Sequence, residues 1–409
     1  METMSAMRIL ITSSRLPFAL DMVRKLAARG HDLYASDSYE VAPGSHSRYL
    51  AGHFVTAAAS EETEVFIADV ERIVRENEIE LVVPAFEEAF YLATRHAALS
   101  ERTILFTAPF KTLARLHDKD RFTQLAERLG LPTPTTVVAR SDEELREGIE
   151  RFPRYFARAA FSRGGVSLLT NTGPLAGKLE GSDCHPSESS PWLVQEFVEG
   201  PMHCTYSTLH GGRVTAHCAY RAPRQWQHST GIQFESIDGG PSLEVATRLG
   251  AELDYTGQMS LDFVDSPDGP MLIECNPRAT DGVLLMSAEE LERGLLDPNA
   301  PLTMVEPGRE TKLSLAVVGQ LFREPPSKLP AGIADLVRVK GSDQGWRDAL
   351  PTMYSFLAFG HHARLGWRER KQIFVAMADG ICWDGEQIAG MSAEDARFLA
   401  ELEGEAPSA

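Results

Sequence analysis

The sequence predicts an α/β protein with a parallel α/β domain at its N-terminus, followed by mixed α+β segments built on hairpins. Three observations carry this reading. Short apolar runs alternate with amphipathic helical stretches over residues 1 to about 115. Hairpins with glycine-bearing turns recur from "RYFAR" to "IECNPR". The 409 residues, with 43% hydrophobic content, exceed what one core usually holds, so two or three domains are expected.

Taken in order, "MRILIT" reads as a buried strand, "FALDMVRKLAARG" as an amphipathic helix closed by Gly30, and "HDLYASD" as a second strand. The alternation continues with "VFIADVERIVRENE" as helix, "IELVVPAF" as strand, "EEAFYLATRHAALS" as helix and "RTILFTAP" as strand. A single helix is expected over "LARLHDKDRFTQLAERLG", stopped by the prolines that follow, then a strand at "TTVVAR" and a helix "SDEELREGIERF" opening on a serine N-cap. "RYFARAAFSRGGVSLLT" predicts a hairpin, and "EGSDCHPSESSP" a polar surface excursion. "WLVQEFVEG" and "CTYSTLHGGRVTAHCAYR" predict strands, the second doubling back at Gly211-Gly212; "SLEVATRLGAELD" predicts a helix. "GQMSLDFVDSPDGPMLIECNPR" predicts a hairpin turning at Asp268-Gly269. After about residue 310, "TKLSLAVVGQLF" is strand-like, a Pro-rich break follows, and "LGWRERKQIFVAMADGI" is amphipathic and locally basic.

Composition narrows the function. A formal charge of -18 disfavours non-specific attraction to nucleic acid or an anionic membrane, so neither is expected as a partner. Five cysteines without a CxxC pair point to neither a disulfide framework nor a zinc knuckle, and a reducing cytoplasm fits best. "METMSAMRILIT" carries an acid and no apolar stretch of signal-peptide length, and no run reaches a membrane span. The first turn, "TSSRLPFA", lacks the glycines of a dinucleotide-binding fold, which counts against an NAD-dependent oxidoreductase. The histidines have no HExxH spacing, and no serine sits in a GxSxG elbow.

The chemistry concentrates at "LIECNPRATDG". Period two puts Glu274 and Asn276 on one side of the strand with Cys275 packing behind, and the Asp268-Gly269 turn brings Asp262 alongside. Such hard oxygen donors suit Mg²⁺ holding phosphates, although a carboxylate and an amide two apart are often only a hydrated edge. Arg278 adds forked donors suited to phosphate or carboxylate, or else a salt bridge to Glu274. Upstream, "SRGGV" places Gly164-Gly165 where backbone N–H groups face an anion or simply turn a hairpin, with Arg158 just before. Glu87 and Glu88 end the strand "LVVPAF" where open α/β sheets present a crevice, or serve as helix-start acids.

The order of these features (Lys119 in "HDKDRF", Arg158 before "SRGGV", "VQEFVEG", "SLDFV", "LIECNPRATDG") resembles the ATP-grasp superfamily, nearest the branch of carbamoyl phosphate synthase domains and carboxylate-amine ligases. The resemblance covers roughly residues 1 to 290 and implies a pre-ATP-grasp α/β domain (1–115), a small lobe (116–195), a large lobe (196–310) and a region 311–409 completing or flanking the grasp. It implies that Lys119 and Arg158 reach the ATP phosphates and that Ser162, Gly164 and Gly165 lie in the loop closing over them. Glu196, Val198 and Glu199 would border adenine. The acid usual near the ribose is replaced by Met202 or His203. Asp262, Glu274 and Asn276 would hold one or two Mg²⁺ ions, Mn²⁺ being an acceptable substitute. Arg278 would contact the transferred phosphate and Arg221 would add a second cation, the alternative for Arg221 being a solvated strand end. Asp281 and Gly282 would line the substrate side, Asp281 recognising an amino group. The activity implied is ATP-dependent joining of a small carboxylate to an amine, amino acids among them, through an acyl phosphate; a homodimer is an allowed assembly. A nucleotide-binding protein that has lost catalysis is the alternative.

Overall fold

The computed structural model describes residues 5–161, 167–226, 230–325, 327, 329–342, 347–371 and 373–402. Its first sheet is parallel throughout: β1 (Arg8–Ile11), β2 (Asp32–Asp37), β3 (Leu50–Val55), β4 (Leu81–Val83) and β5 (Ile104–Leu105) lie in the order β3-β2-β1-β4-β5. Helices Pro17–Ala28 and Thr63–Glu76 supply the crossovers and bury one apolar face each. β3 was not expected. All six of its residues are partly or fully exposed, so it lacks the apolar alternation that marks a strand.

A four-stranded sheet follows, ordered β6-β9-β7-β8, from β6 (Thr136–Ala139), β7 (Tyr155–Ala159), β8 (Leu168–Thr170) and β9 (Trp192–Glu196). The largest sheet is built from β10 (Met202–His210), β11 (Arg213–Trp226), β12 (Thr230–Ile237), β13 (Gly257–Ser266), β14 (Gly269–Asn276), β15 (Thr303–Met304) and β16 (Glu310–Lys312). It runs β14-β13-β10-β11-β12-β16, with β15 pairing β11. The expected turns are present, Gly211 and Gly212 at φ 52° and 76° and Gly269 at φ 119°, a region glycine enters without strain.

Four expectations need correction. The helix through "HDKD" is two helices, Phe110–His117 and Lys119–Arg128, because Asp118 adopts extended backbone and its side chain accepts from the Asp120 and Arg121 amides as an N-cap. "EEAFYLATRHAALS" likewise divides into Glu88–Ala93 and His96–Ser100. "TKLSLAVVGQLF" yields only β16 before turning into the helix Ser314–Leu321. "LGWRERKQIFVAMADGI" is split at Arg370, whose φ of 57° ends the helix Leu350–Glu369 ahead of Ile373–Met377.

The C-terminal region returns to the helices packed on the parallel sheet. Trp383 is fully buried, stacked on Phe90 (ring centroids 4.6 Å) and edge-on to Phe110 and Phe161. Arg15, buried in the first turn, donates from Nε to Asp37 (2.9 Å) and from Nη1 to the carbonyl of Asp379 (2.9 Å). The turn where a dinucleotide pyrophosphate would lie, and the acid at the end of β2 that would read its ribose, are thus engaged by protein.

Candidate active site

Register sets the site. Tyr220, Cys204, Asp262 and Glu274 lie directly opposite one another on β11, β10, β13 and β14, so their side chains form one row on one face. Asn276, two residues along β14, shares that face and donates from Nδ2 to Asp262 and to Glu274, each at 3.3 Å. Cys275 is buried on the opposite side in the core, as alternation requires.

The four-stranded sheet reaches across to this row. Arg158, on β7, donates from Nη1 to Glu274 Oε2 (2.5 Å) and from Nη2 to the carbonyl of Ile273 (2.7 Å). Ile273 is the extra residue where the β13–β14 register slips between Asp262 and Phe263. The bulge releases a ladder carbonyl, and Arg158 takes it up. Lys119, buried as the first residue of its helix, donates from Nζ to the carbonyl of Ala160 (3.3 Å), with Glu274 Oε2 4.0 Å away.

Electrostatics follow from this packing. Burial pushes the Asp262 carboxyl up, and the facing Glu274 adds to the shift. Burial alone would raise Glu274 too, but Lys119 and Arg158 overcome it and hold that carboxyl below the usual carboxylate range. Two facing carboxylates suit a hard divalent cation, but Asn276 turns its Nδ2 to them and its Oδ1 to Arg278, so its oxygen would join such a shell only after the amide turns over. Among the described residues no cluster of three or more His, Cys, Asp or Glu is placed to hold an ion unaided. Asp262 and Glu274, with Asn276 turned, would supply part of a shell that phosphate oxygens and water complete around Mg²⁺.

Arg278 follows Asn276. Its guanidinium donates from Nη2 to Asn276 Oδ1 (3.1 Å), lies over the Phe86 ring (4.1 Å to the centroid), and pairs through Nε with Glu87 Oε1 (3.3 Å). Its acidic partner is thus Glu87 rather than Glu274. Asp281 is half-buried with its carboxyl pushed up to about 7 by burial, Arg278 opposing the shift. Burial and then Asp262 and Glu274 raise the Cys204 thiol, and burial and then Cys204 raise the Tyr220 hydroxyl, Asp281 adding to both.

Several expected residues stand elsewhere. Arg221 follows Tyr220 on β11 and points to the opposite face, half-exposed and donating to Asp265 Oδ2 (3.0 Å), so it is no second cation in this row. Glu88 is buried, its Oε1 accepting from the Ala85 and Phe86 amides (2.9 and 3.2 Å) and from the Thr12 hydroxyl; it holds a loop rather than facing substrate. Glu87 is wholly buried, engaged by Arg278 and by the Trp383 amide (3.1 Å). Gly282 is a packing glycine: a Cβ there would meet Tyr206 Cβ at 2.5 Å and Tyr220 Cε1 at 2.9 Å.

In "QEFVEG", Glu196 Oε1 accepts from the Thr135 amide (2.9 Å) and hydroxyl (2.8 Å), and the exposed Glu199 pairs with Arg154 (3.1 Å). Val198 lies in the link between β9 and β10. His203 is buried on the far face, stacked on Phe263 and paired with Asp265 (2.8 Å), whereas Met202 is half-exposed on the face that carries Asp262. Ser162, Gly164 and Gly165 lie outside the described residues. Sequence reasoning missed Cys204, Tyr220, Phe86 and Trp383. For the first two the signal was available once the strands are set in register; for Phe86 and Trp383 it was not.

No family model matches the chain. In sequence it is 25% identical over 239 residues to the carbamoyl phosphate synthase large chain of Methanothermobacter thermautotrophicus, a match covering 54% of this chain and 22% of that one. The chain spans about a fifth of the length of such curated relatives (22% and 19%). In structure it is similar to N5-carboxyaminoimidazole synthetase from Staphylococcus aureus complexed with ADP (TM-score 0.58, 12% identity, 80% of this chain and 88% of that one). It is similar also to L-amino acid ligase from Bacillus licheniformis (TM-score 0.52, 14% identity, 75% and 79%). The fold is that of the ATP-grasp superfamily. Within that class, the sequence likeness is to carbamoyl phosphate synthase large chains.

Proposed function

We propose that the chain is an ATP-dependent carboxylate-amine ligase, which activates a small-molecule carboxylate as an acyl phosphate and joins it to an amine. The observation that carries this reading is the convergence of Lys119 and Arg158 with Asp262, Glu274, Asn276 and Arg278 where two sheets face each other. A carboxylate oxygen of the substrate attacks the γ-phosphorus, the bond to the β–γ bridging oxygen breaks, and ADP leaves. The amine nitrogen then attacks the acyl carbon, phosphate departs, and the nitrogen loses a proton.

Little general-base chemistry is required for the first step, since positioning and charge neutralisation supply most of the acceleration. Lys119 and Arg158 would turn from Glu274 to the ATP phosphates. Asp262, Glu274 and the Asn276 amide oxygen would hold one or two Mg²⁺ ions, or Mn²⁺, which when bound neutralise phosphate charge. Arg278, fixed on one side by Glu87 and Phe86, would present its Nη edge to the acyl phosphate. Asp281 would recognise the amino group of the amine substrate and accept the proton whose loss frees its lone pair for attack, and the likeness to an L-amino acid ligase supports amino acids as substrates. A nucleotide-binding protein without catalysis is the second reading, favoured by Met202 standing on the site's face near the usual ribose acid.

The test is release of ADP and phosphate from Mg·ATP in the presence of pooled carboxylates and amines, amino acids included. Turnover that depends on both acceptors and falls about 10²-fold or more in Glu274→Ala is expected. Unchanged turnover in that variant would overturn the site, and Mg·ADP binding with no turnover on any pool would establish the second reading.

A further inference from the structure

Glu87 and the C-terminal segment hold Arg278 from behind. The Glu87 carboxylate is wholly buried, with Oε1 3.3 Å from Arg278 Nε and Oε2 accepting from the Trp383 amide at 3.1 Å. A buried carboxylate is costly unless paired and hydrogen-bonded, so this arrangement fixes three elements on one another. They are the loop after β4, the residues after β14 and the C-terminal segment. Trp383 is itself locked: its indole Nε1 donates to the carbonyl of Glu386 (2.8 Å), and its ring is stacked on Phe90. Tyr91, four residues after Glu87, has its hydroxyl between two acceptors, the carbonyl of Cys382 (2.7 Å) and Glu386 Oε1 (2.8 Å), which share its one proton.

We propose that Glu87 is a positioning residue for Arg278, and that the segment around Trp383 completes the active site by anchoring Glu87. Glu87 Oε1 is the counter-charge 3.3 Å from Nε, an ion pair without a hydrogen bond, while Phe86 covers the guanidinium face and Nη2 and Nη1 donate to Asn276 Oδ1 (3.1 Å) and to the Ala279 carbonyl (3.3 Å). Removing the charge on Glu87 takes away the buried counter-charge that keeps the cation at this end of the site, leaving it to its Nη bonds and the Phe86 ring. The catalytic part of this proposal rests on the ligase reading; the placement of Arg278 does not.

Glu87→Gln keeps the volume and an acceptor oxygen, and two measurements separate the parts. Modification of Arg278 by phenylglyoxal, followed on its own peptide by mass spectrometry, is expected to quicken severalfold in the variant, whether or not the wild type turns over. Acceptor-dependent kcat is expected to fall about 10²-fold, while the KM for ATP stays within about threefold. Arg278 labelling at the wild-type rate in a folded variant overturns the proposal. Quickened labelling with parallel loss of ATP affinity and thermal stability reduces Glu87 to a merely structural role and overturns it too. A wild type without turnover defeats the ligase reading alone. If Glu87→Gln is recovered only unfolded, Glu87→Asp, which keeps the charge but withdraws it by one methylene, is judged by the same two readouts.

Discussion

Asp281 shows how one side chain's surroundings set its chemistry. Burial raises its carboxyl to about 7, so the folded chain binds that proton more tightly than the unfolded chain does. The stability this contributes is complete below the ordinary carboxylate range and is lost as the pH climbs through about 7. Asn at this position cannot ionise. The stability of Asp281→Asn relative to wild type, read by urea denaturation, should therefore rise between about pH 5 and about pH 8; a flat or falling difference would mean the carboxylate is well solvated. At this scale the sequence was informative where the geometry is local. Glu274 and Asn276 share a face by alternation alone, whereas Asp262 joins them only through the bulge at Ile273, which a period of two does not announce. The side to which Arg221 points depends on pairing across β10 and β11, which no short window contains. Glu87 and Glu88 are adjacent acids whose partners, Arg278 and Thr12, are distant in sequence.

Among elements, the break at Asp118 matters most. The apolar spacing of Leu113, Leu116, Phe122 and Leu125 runs on as though one helix continued, and "HDKD" reads as a charged surface patch. What interrupts it is the Asp118 side chain binding two backbone amides, a competition between side chain and helix that periodicity does not register. The interruption puts Lys119 at the start of a new helix, under Ala160 and towards Glu274. Asp118→Ala should cost about 1 kcal/mol of unfolding free energy by denaturant titration. It should also raise the KM for ATP more than it lowers kcat, since the lysine loses its fixed origin; an unchanged KM would show that Lys119 is held by its side-chain contacts alone. β3 escaped detection for the opposite reason, being an edge strand with too little burial to leave a pattern.

For the molecule as a whole, the long-range closure by the C-terminal region is the part least legible beforehand. The two hairpins and the parallel domain are assembled from neighbouring segments. Trp383, by contrast, fills a core made by Phe90, Phe110 and His117. Trp383→Ala should destabilise the protein by about 3–5 kcal/mol and lower the unfolding midpoint of the first domain along with that of the rest. A separate transition with the first domain unaffected would show the segment to be an accessory. The same closure constrains biosynthesis. With residue 383 lodged among side chains of residues 90–117, those side chains wait for 266 further residues (383 − 117 = 266) before their packing partner is made. Ribosome-bound nascent chains ending before this segment should therefore leave Phe90 and Phe110 without their Trp383 contacts, and be cut by protease there faster than chains that include it.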